Sequence, residues 1–306
     1  MGRLRLVRLI LVALVLAGCS GRNDAGECMR TVVDSPGFQL HGGVAVYGAK
    51  GGPIHRVSAD GAAFLKKHRL ASLTKPLVAA RVRRLAESGR FQLDDPIWPL
   101  LPAHLLPESG GGRGITVRQL LQHTGGFDRS GARGDPLFPQ GKTGNCTEAA
   151  KQVLASAPDF TPGSRTVYSN AGYCVLGELI LAHQVEDRAL DAALRSPLGG
   201  AGGYVSTIEE MHAALMGTLP LEDWRSGAPL PDGSYYSSGW RRRGGADGEL
   251  RWTHFGRLPG LLSIAITDGE DWVGVAYFEG NPPDWEAAGL RLSRRMWQCS
   301  RKPSQG

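Results

Sequence analysis

The chain has 306 residues, with 35 Lys and Arg against 29 Asp and Glu for a formal net charge of +6. That length suits one large domain or two small ones and can bury a substantial core. The basic residues are spread along the chain, and the densest run, Arg241-Arg242-Arg243, sits beside glycines without interleaved aromatics. This argues against a nucleic-acid surface and predicts a solvated hairpin tip.

The first residues combine Arg3, Arg5 and Arg8 with an apolar stretch from Leu9 to Leu16, followed by Leu16-Ala17-Gly18-Cys19. A basic head, a short apolar core and a small-residue cleavage site make an export signal over residues 1–19, too short to span a bilayer. Its end resembles a bacterial lipobox, which implies that Cys19 carries lipid and anchors the chain to a membrane. Ser20 at the next position implies, on the same resemblance, the periplasmic face of an outer membrane. Loss of the three arginines lowers the net charge from +6 to +3.

Residues 20–37 read as a polar, irregular tether, and 38–300 as a single folded domain. Four cysteines remain: Cys28, Cys146, Cys174 and Cys299. An even number in an exported chain suggests disulfides, with three pairings open. Their positions favour Cys28 with Cys299, near the two ends, and Cys146 with Cys174, flanking one middle segment.

Val44 to Tyr47 and Ile54 to Val57 are short β-rich runs around Gly51-Gly52-Pro53, so a sheet begins there. Ser72 to Ser88 places apolar residues at helical spacing and stops at Gly89, with Pro76 tolerated in the first turn. From Leu93 to His183 the chain mixes loops with two helices, Val117 to Gln122 and Ala171 to His183, and reads as a helical half. A third helix is expected near Thr207 to Met216. Strands follow at Leu250 to His254, Leu261 to Ile266 and Trp272 to Phe278, with turns at Gly256, Pro259-Gly260 and Asp268-Gly269. Trp285 to Cys299 is an amphipathic helix. Strands at both ends with helices between them predict an α+β fold, its mainly antiparallel sheet built from both chain ends and flanked by helices.

Ser72-Leu73-Thr74-Lys75 puts a hydroxyl and an amine about one turn apart on one face of a helix start. A serine hydroxyl becomes a useful nucleophile when a base takes its proton, and burial can lower a lysine's pKa enough for that task. Alone the pattern is common, and an N-capping Ser72 with a surface Lys75 would give it too. Tyr168-Ser169-Asn170 precedes a helix, so Asn170 could be its N-cap. As site residues, Tyr168 and Asn170 face one side of an extended loop. Tyr168 would then move protons between Ser72, Lys75 and the leaving group, while the Asn170 amide holds Lys75 and the substrate carbonyl. His254-Phe255-Gly256-Arg257, at the end of an inferred strand, would close the site, the Arg257 N–H joining that of Ser72 in an oxyanion hole.

With these elements in order, the chain resembles the serine β-lactamase and penicillin-binding protein superfamily, in the branch of class C β-lactamases, D-alanyl-D-alanine carboxypeptidases and esterases. Leu93-Asp94-Asp95-Pro96, Ile115-Thr116-Val117-Arg118-Gln119-Leu120-Leu121-Gln122-His123-Thr124-Gly125-Gly126 and Thr161-Pro162-Gly163 carry the resemblance across most of the chain. It assigns His123 to a structural loop, whatever its literal H-T-G suggests, and implies a β-lactamase/transpeptidase-like fold. It implies a serine hydrolase acting by an acyl-enzyme on small esters, amides or peptidoglycan-derived substrates. Ser72, Lys75, Tyr168, Asn170 and His254 are then catalytic, Phe255, Gly256 and Arg257 line the substrate and oxyanion site, and Tyr168 or His254 activates the deacylating water. No metal, cofactor or nucleic acid is called for, and a monomer is expected.

Two departures stand out. Pro197-Leu198-Gly199 runs almost directly into Gly202-Gly203, so one substrate wall is shortened. Phe255 stands where penicillin-recognising members place a threonine that binds a carboxylate, which favours neutral esters or amides. The competing reading is a catalytically silent envelope receptor using the same cleft.

Overall fold

The computed structural model describes residues 25–301 apart from 109, 132, 184–186, 226 and 245–249. The strands are β1 (Leu40–Ala49), β2 (Ile54–Ser58), β3 (His68–Arg69), β4 (Val205–Ser206), β5 (Tyr235–Ser237), β6 (Trp240–Gly244), β7 (Leu250–Leu258), β8 (Leu261–Thr267) and β9 (Trp272–Gly280). Seven of them form one sheet in the order β2-β1-β9-β8-β7-β6-β5, with every neighbouring pair antiparallel. The chain's two ends therefore meet at the β1–β9 ladder, as the strand pattern predicts. β3 and β4 form a separate short pair.

The helices are α1 (Ala25–Asp34), α2 (Thr74–Glu87), α3 (Val117–Leu121), α4 (Cys146–Ala155), α5 (Asn170–Leu181), α6 (Arg188–Leu194), α7 (Gly199–Gly202), α8 (Ile208–Met216) and α9 (Trp285–Ser300). Because successive strand residues face opposite sides, the sheet separates two cores. Ala45 and Tyr47 of β1 join Ile264, Ala276 and Phe278 against α1 and α9. Val44 and Val46 join Ala265 and Val275 against the helical half, where α2, α5 and α8 pack. The fold is α+β, helices covering both faces of a large antiparallel sheet.

The structure corrects the sequence reading at three places. Residues 20–37 are not all tether: Ala25–Asp34 is a helix with Met29, Val32 and Val33 buried. These lie at i, i+3 and i+4, so a short apolar stripe among polar residues docks the segment beside β1 and α9. Gly256 is not a turn, since β7 continues through it opposite Ser263. Arg241-Arg242-Arg243 is not a solvated tip but part of β6, paired with β7. The Arg241 and Arg243 side chains are only 15% and 11% exposed and share Asp232 and Glu286. Two shared carboxylates, making four ion pairs, let this strand be basic and still largely buried.

Cys28–Cys299 and Cys146–Cys174 are both disulfides, the pairing their positions favour. The first ties α1 to α9 and the second ties α4 to α5. Replacing Cys146 and Cys174 together by serine should lower unfolding free energy by about 3 kcal/mol, since the bond closes a loop of some tens of residues. Denaturant unfolding with Cys28–Cys299 intact would measure it; an unchanged midpoint would show the α4–α5 contact holding without the bridge.

Candidate active site

Ser72 lies in a 3₁₀ turn, Ala71–Leu73, that runs into α2. Ala71, just before it, sits at φ +48°, a left-handed conformation uncommon outside glycine. One turn on, Lys75 is fully buried. Its Nζ donates to Ser72 Oγ at 3.1 Å, Asn170 Oδ1 at 2.9 Å and the Ala201 carbonyl at 2.6 Å. Burial holds its pKa well below the ordinary 10.5; the carboxylate of Asp135 pulls it back up, and the charge of Arg129 presses it further down.

The Ala201 acceptor comes from α7, a run of small residues absent from the sequence-based site. A side chain at Gly200 would place Cβ 2.3 Å from the Tyr173 carbonyl, so α7 can lie against α5 only with glycine there. Spacing alone gives no hint that this run faces Lys75.

Ser169, and not Asn170, is the N-cap of α5, accepting from the Gly172 N–H at 3.1 Å. Asn170 is thereby the first helical residue, and its amide is left for Lys75. Tyr168 hydrogen-bonds Ser72, and burial raises its pKa well above the usual phenol range, so it stays protonated. Lys75 Nζ lies 4.8 Å from its ring centroid and the Arg129 guanidinium 4.7 Å.

His123 holds this loop in place. Its ring lies 4.5 Å from Tyr168, 5.0 Å from Tyr173 and 4.6 Å from Tyr236. Its Nδ1 accepts from the Ser169 N–H at 3.1 Å and its carbonyl from Val167 N–H at 2.9 Å. Burial first, and then the charge of Lys75, keep it neutral by driving its pKa well below 6.5. The loop is structural, as the resemblance implies, but what it supports is Tyr168. The H-T-G triplet was a signal, although chain order alone could not say what the ring touches.

β6 pairs with β7 only as far as Thr253. Among the described residues, β7 from His254 to Leu258 therefore has a strand neighbour on one side only, leaving backbone groups free at the cleft. A Cβ on Gly256 would lie 2.2 Å from Ser263 Oγ, 2.3 Å from the Leu70 carbonyl and 3.2 Å from the Ser72 nitrogen, so glycine alone lets β7 approach the serine.

His254 is buried, with Nδ1 3.2 Å from the Phe255 carbonyl and Nε2 without a hydrogen-bond partner among the described residues. Its ring centroid is 6.2 Å from that of Tyr168. Burial, followed by the Lys75 charge, pushes its pKa down to about 3, so it is a neutral imidazole at neutral pH. The Phe255 ring packs towards α9, where a Cβ on Gly289 would come within 2.8 Å of it. It both packs against α9 and lines the cleft. The Arg257 side chain is exposed, 5.9 Å from the Trp285 ring.

These groups line a cleft of about 590 Å³, with Ser72, Tyr168, Asn170 and His254 on its walls, Tyr236 beside them and Arg241 and Arg243 further out. Among the described residues, no group of three or more His, Cys, Asp or Glu could hold a metal ion. Of the sequence-based site, Ser72, Lys75, Tyr168, Asn170, His254 and Gly256 converge, and Phe255 and Arg257 line the same cleft. Cys19 lies outside the described residues.

The large antiparallel sheet backed by helices matches what comparison with known proteins finds. The family model described as Beta-lactamase matches residues 39–196, and the chain belongs to that family, within the serine β-lactamase and penicillin-binding protein superfamily. Esterase EstB of Burkholderia gladioli is 32% identical over 263 residues, covering 71% of this chain and 64% of the esterase. Penicillin-binding protein 4 of Amycolatopsis lactamdurans is 28% identical over 177 residues, 57% of this chain and 43% of that protein. Among solved structures, a D-stereospecific amidohydrolase from Streptomyces sp. shares the fold at a TM-score of 0.66 and 20% identity, covering 88% of this chain and 98% of that one. The chain spans less than two thirds of the length of these curated relatives, from 64% of the esterase down to 22% of others.

Proposed function

We propose that the protein is a serine hydrolase that cleaves small esters or amides through an acyl-enzyme on Ser72. The observation that carries this reading is Lys75 Nζ, buried and 3.1 Å from Ser72 Oγ. As an ammonium, Lys75 donates to all three oxygens; once it loses a proton, its two N–H bonds stay on the Asn170 and Ala201 oxygens and the Ser72 contact reverses, the serine O–H donating to the free lone pair. Lys75 takes the Ser72 proton as Oγ bonds to the substrate carbonyl carbon, and the carbonyl π electrons move onto oxygen. The Ser72 and Arg257 backbone N–H groups receive that oxyanion. As the intermediate collapses, the bond to the leaving group breaks, and Tyr168 passes it the proton held on Lys75. Water loses a proton to the Tyr168–Lys75 pair, His254 with its pKa of about 3 being the weaker alternative acceptor, and attacks the acyl carbon; the bond to Ser72 Oγ then breaks and the same pair returns the proton to Oγ.

The EstB similarity supports ester substrates, and the amidohydrolase fold supports amides. Both disulfides are compatible with an exported protein, and among the described residues no helix is long and apolar enough to cross a membrane. The Leu16–Cys19 lipobox supports lipid anchoring through Cys19, at the periplasmic face of an outer membrane.

A panel of p-nitrophenyl esters, a D-Ala-D-Ala peptide and a penicillin, offered to protein lacking residues 1–19, tests the substrate class. Turnover of the short esters above that of the peptide is the expected result. Peptide cleavage outpacing every ester would make the enzyme a cell-wall peptidase. No turnover of any substrate would leave the cleft as a receptor site.

A further inference from the structure

We infer that Asp135, on the loop between α3 and α4, is a positioning residue for Lys75, acting through the amide of Asn170. The inference rests on the Ser72–Lys75 reading above and concerns a residue that neither the motifs nor the resemblance singles out. Asn170 Nδ2 donates to Asp135 Oδ2 at 2.7 Å, while Asn170 Oδ1 accepts from Lys75 Nζ at 2.9 Å. The other carboxylate oxygen accepts from the Leu137 N–H at 3.0 Å, which fixes Asp135 from its own loop. Asp128, earlier on that loop, holds Arg165, whereas Asp135 lines the cleft and turns inward to Asn170.

An ionised carboxylate only accepts hydrogen bonds, and an amide has one accepting and one donating end. Asp135 therefore dictates which end of Asn170 meets Lys75. A flipped amide would set an NH₂ against the lysine N–H groups and a carbonyl against the carboxylate, two repulsive contacts replacing two attractive ones. With the oxygen held towards Lys75, the neutral amine spends its two N–H bonds on Asn170 and Ala201, and its lone pair faces Ser72. Asp135 thus sets the direction of the base without touching a reacting atom.

Its charge adds a second signature. Asp135 favours the ammonium form of Lys75, against burial and Arg129. His123 and His254, both neutral, and Tyr168 and Tyr173, both protonated, are the other titratable groups facing the lysine. Base activity needs the free amine, so the rate rises with pH through the Lys75 pKa. Removing the carboxylate lowers that pKa and moves the acid limb to lower pH.

The test follows phosphonylation of Ser72 by a fluorophosphonate, in which Oγ bonds to phosphorus, fluoride leaves and Lys75 takes the hydroxyl proton. Rates come from intact mass across a range of pH, for the wild type, Asp135→Ala and the isosteric Asp135→Asn, with thermal melting as a folding check. Expected are a plateau rate lower by roughly tenfold to a hundredfold in Asp135→Ala, the scale of a misoriented catalytic group, a smaller loss in Asp135→Asn, and an acid limb at lower pH in both. If Asp135→Asn folds and keeps the wild-type rate and limb, or slows with the limb unmoved, Asp135 has no such role. A wild type that takes no adduct overturns the Ser72 reading instead, a result visible without either variant.

Discussion

Ser72→Ala should lower kcat/KM for the best ester by roughly five to six orders of magnitude, leaving folding and substrate binding intact. The scale is that of removing a nucleophile whose partners work as one unit. Alanine keeps the 3₁₀ turn and removes only Oγ, the atom that accepts from Lys75 Nζ and bonds Tyr168. What remains is water attack in a cleft that still offers backbone donors, worth about a thousandfold to ten-thousandfold over solution. Steady-state kinetics with melting as a control checks it. Retention of a tenth of wild-type activity would place the nucleophile elsewhere.

Lys75→Met is the second large effect, a loss of about a hundredfold to ten-thousandfold in kcat/KM, the usual range for a general base. Its stability consequence has a definite sign. Lys75 in the folded protein has a pKa well below 10.5. Between that value and 10.5 the unfolded chain binds a proton the folded chain does not, so stability rises with pH across this window and is lost as pH falls through it. Methionine removes this dependence. It also leaves Asn170 Oδ1 and the Ala201 carbonyl without their donor, at a cost of about 1–3 kcal/mol each at most. Denaturant unfolding at several pH values should show a flatter pH dependence for Lys75→Met than for the wild type. Identical slopes would mean that Lys75 is not the group responsible.

Much of this was legible in the sequence because the governing forces are local. The β1–β9 meeting of chain ends follows from strand patterns, and the spacing of Ser72 and Lys75 on a helix start places them together. The positions of four cysteines favour the two disulfides found, although they leave the other pairings open. What was not legible depends on distant contacts. The Ala25–Asp34 helix has only Met29, Val32 and Val33 as its apolar stripe, too few to separate from irregular chain before α9 and β1 are seen. Arg241 and Arg243 look like surface residues until Asp232 and Glu286 arrive to neutralise them. Gly256 reads as a turn because its lack of a side chain is a signal with two causes, and here the cause is the nearness of Leu70 and Ser72. Asp135 and Ala201 escaped for the same reason, since each reaches the site through a contact across the fold that no spacing encodes, and the ring contacts of His123, whose loop was assigned, were hidden likewise.

The most direct test of the central claim is intact-mass analysis of protein lacking residues 1–19 after exposure to a fluorophosphonate, with Ser72→Ala alongside. One adduct per chain on the wild type, mapped to Ser72 and absent from the variant, is the predicted result. A folded wild type that gains no mass, or an adduct that persists in Ser72→Ala, would contradict it.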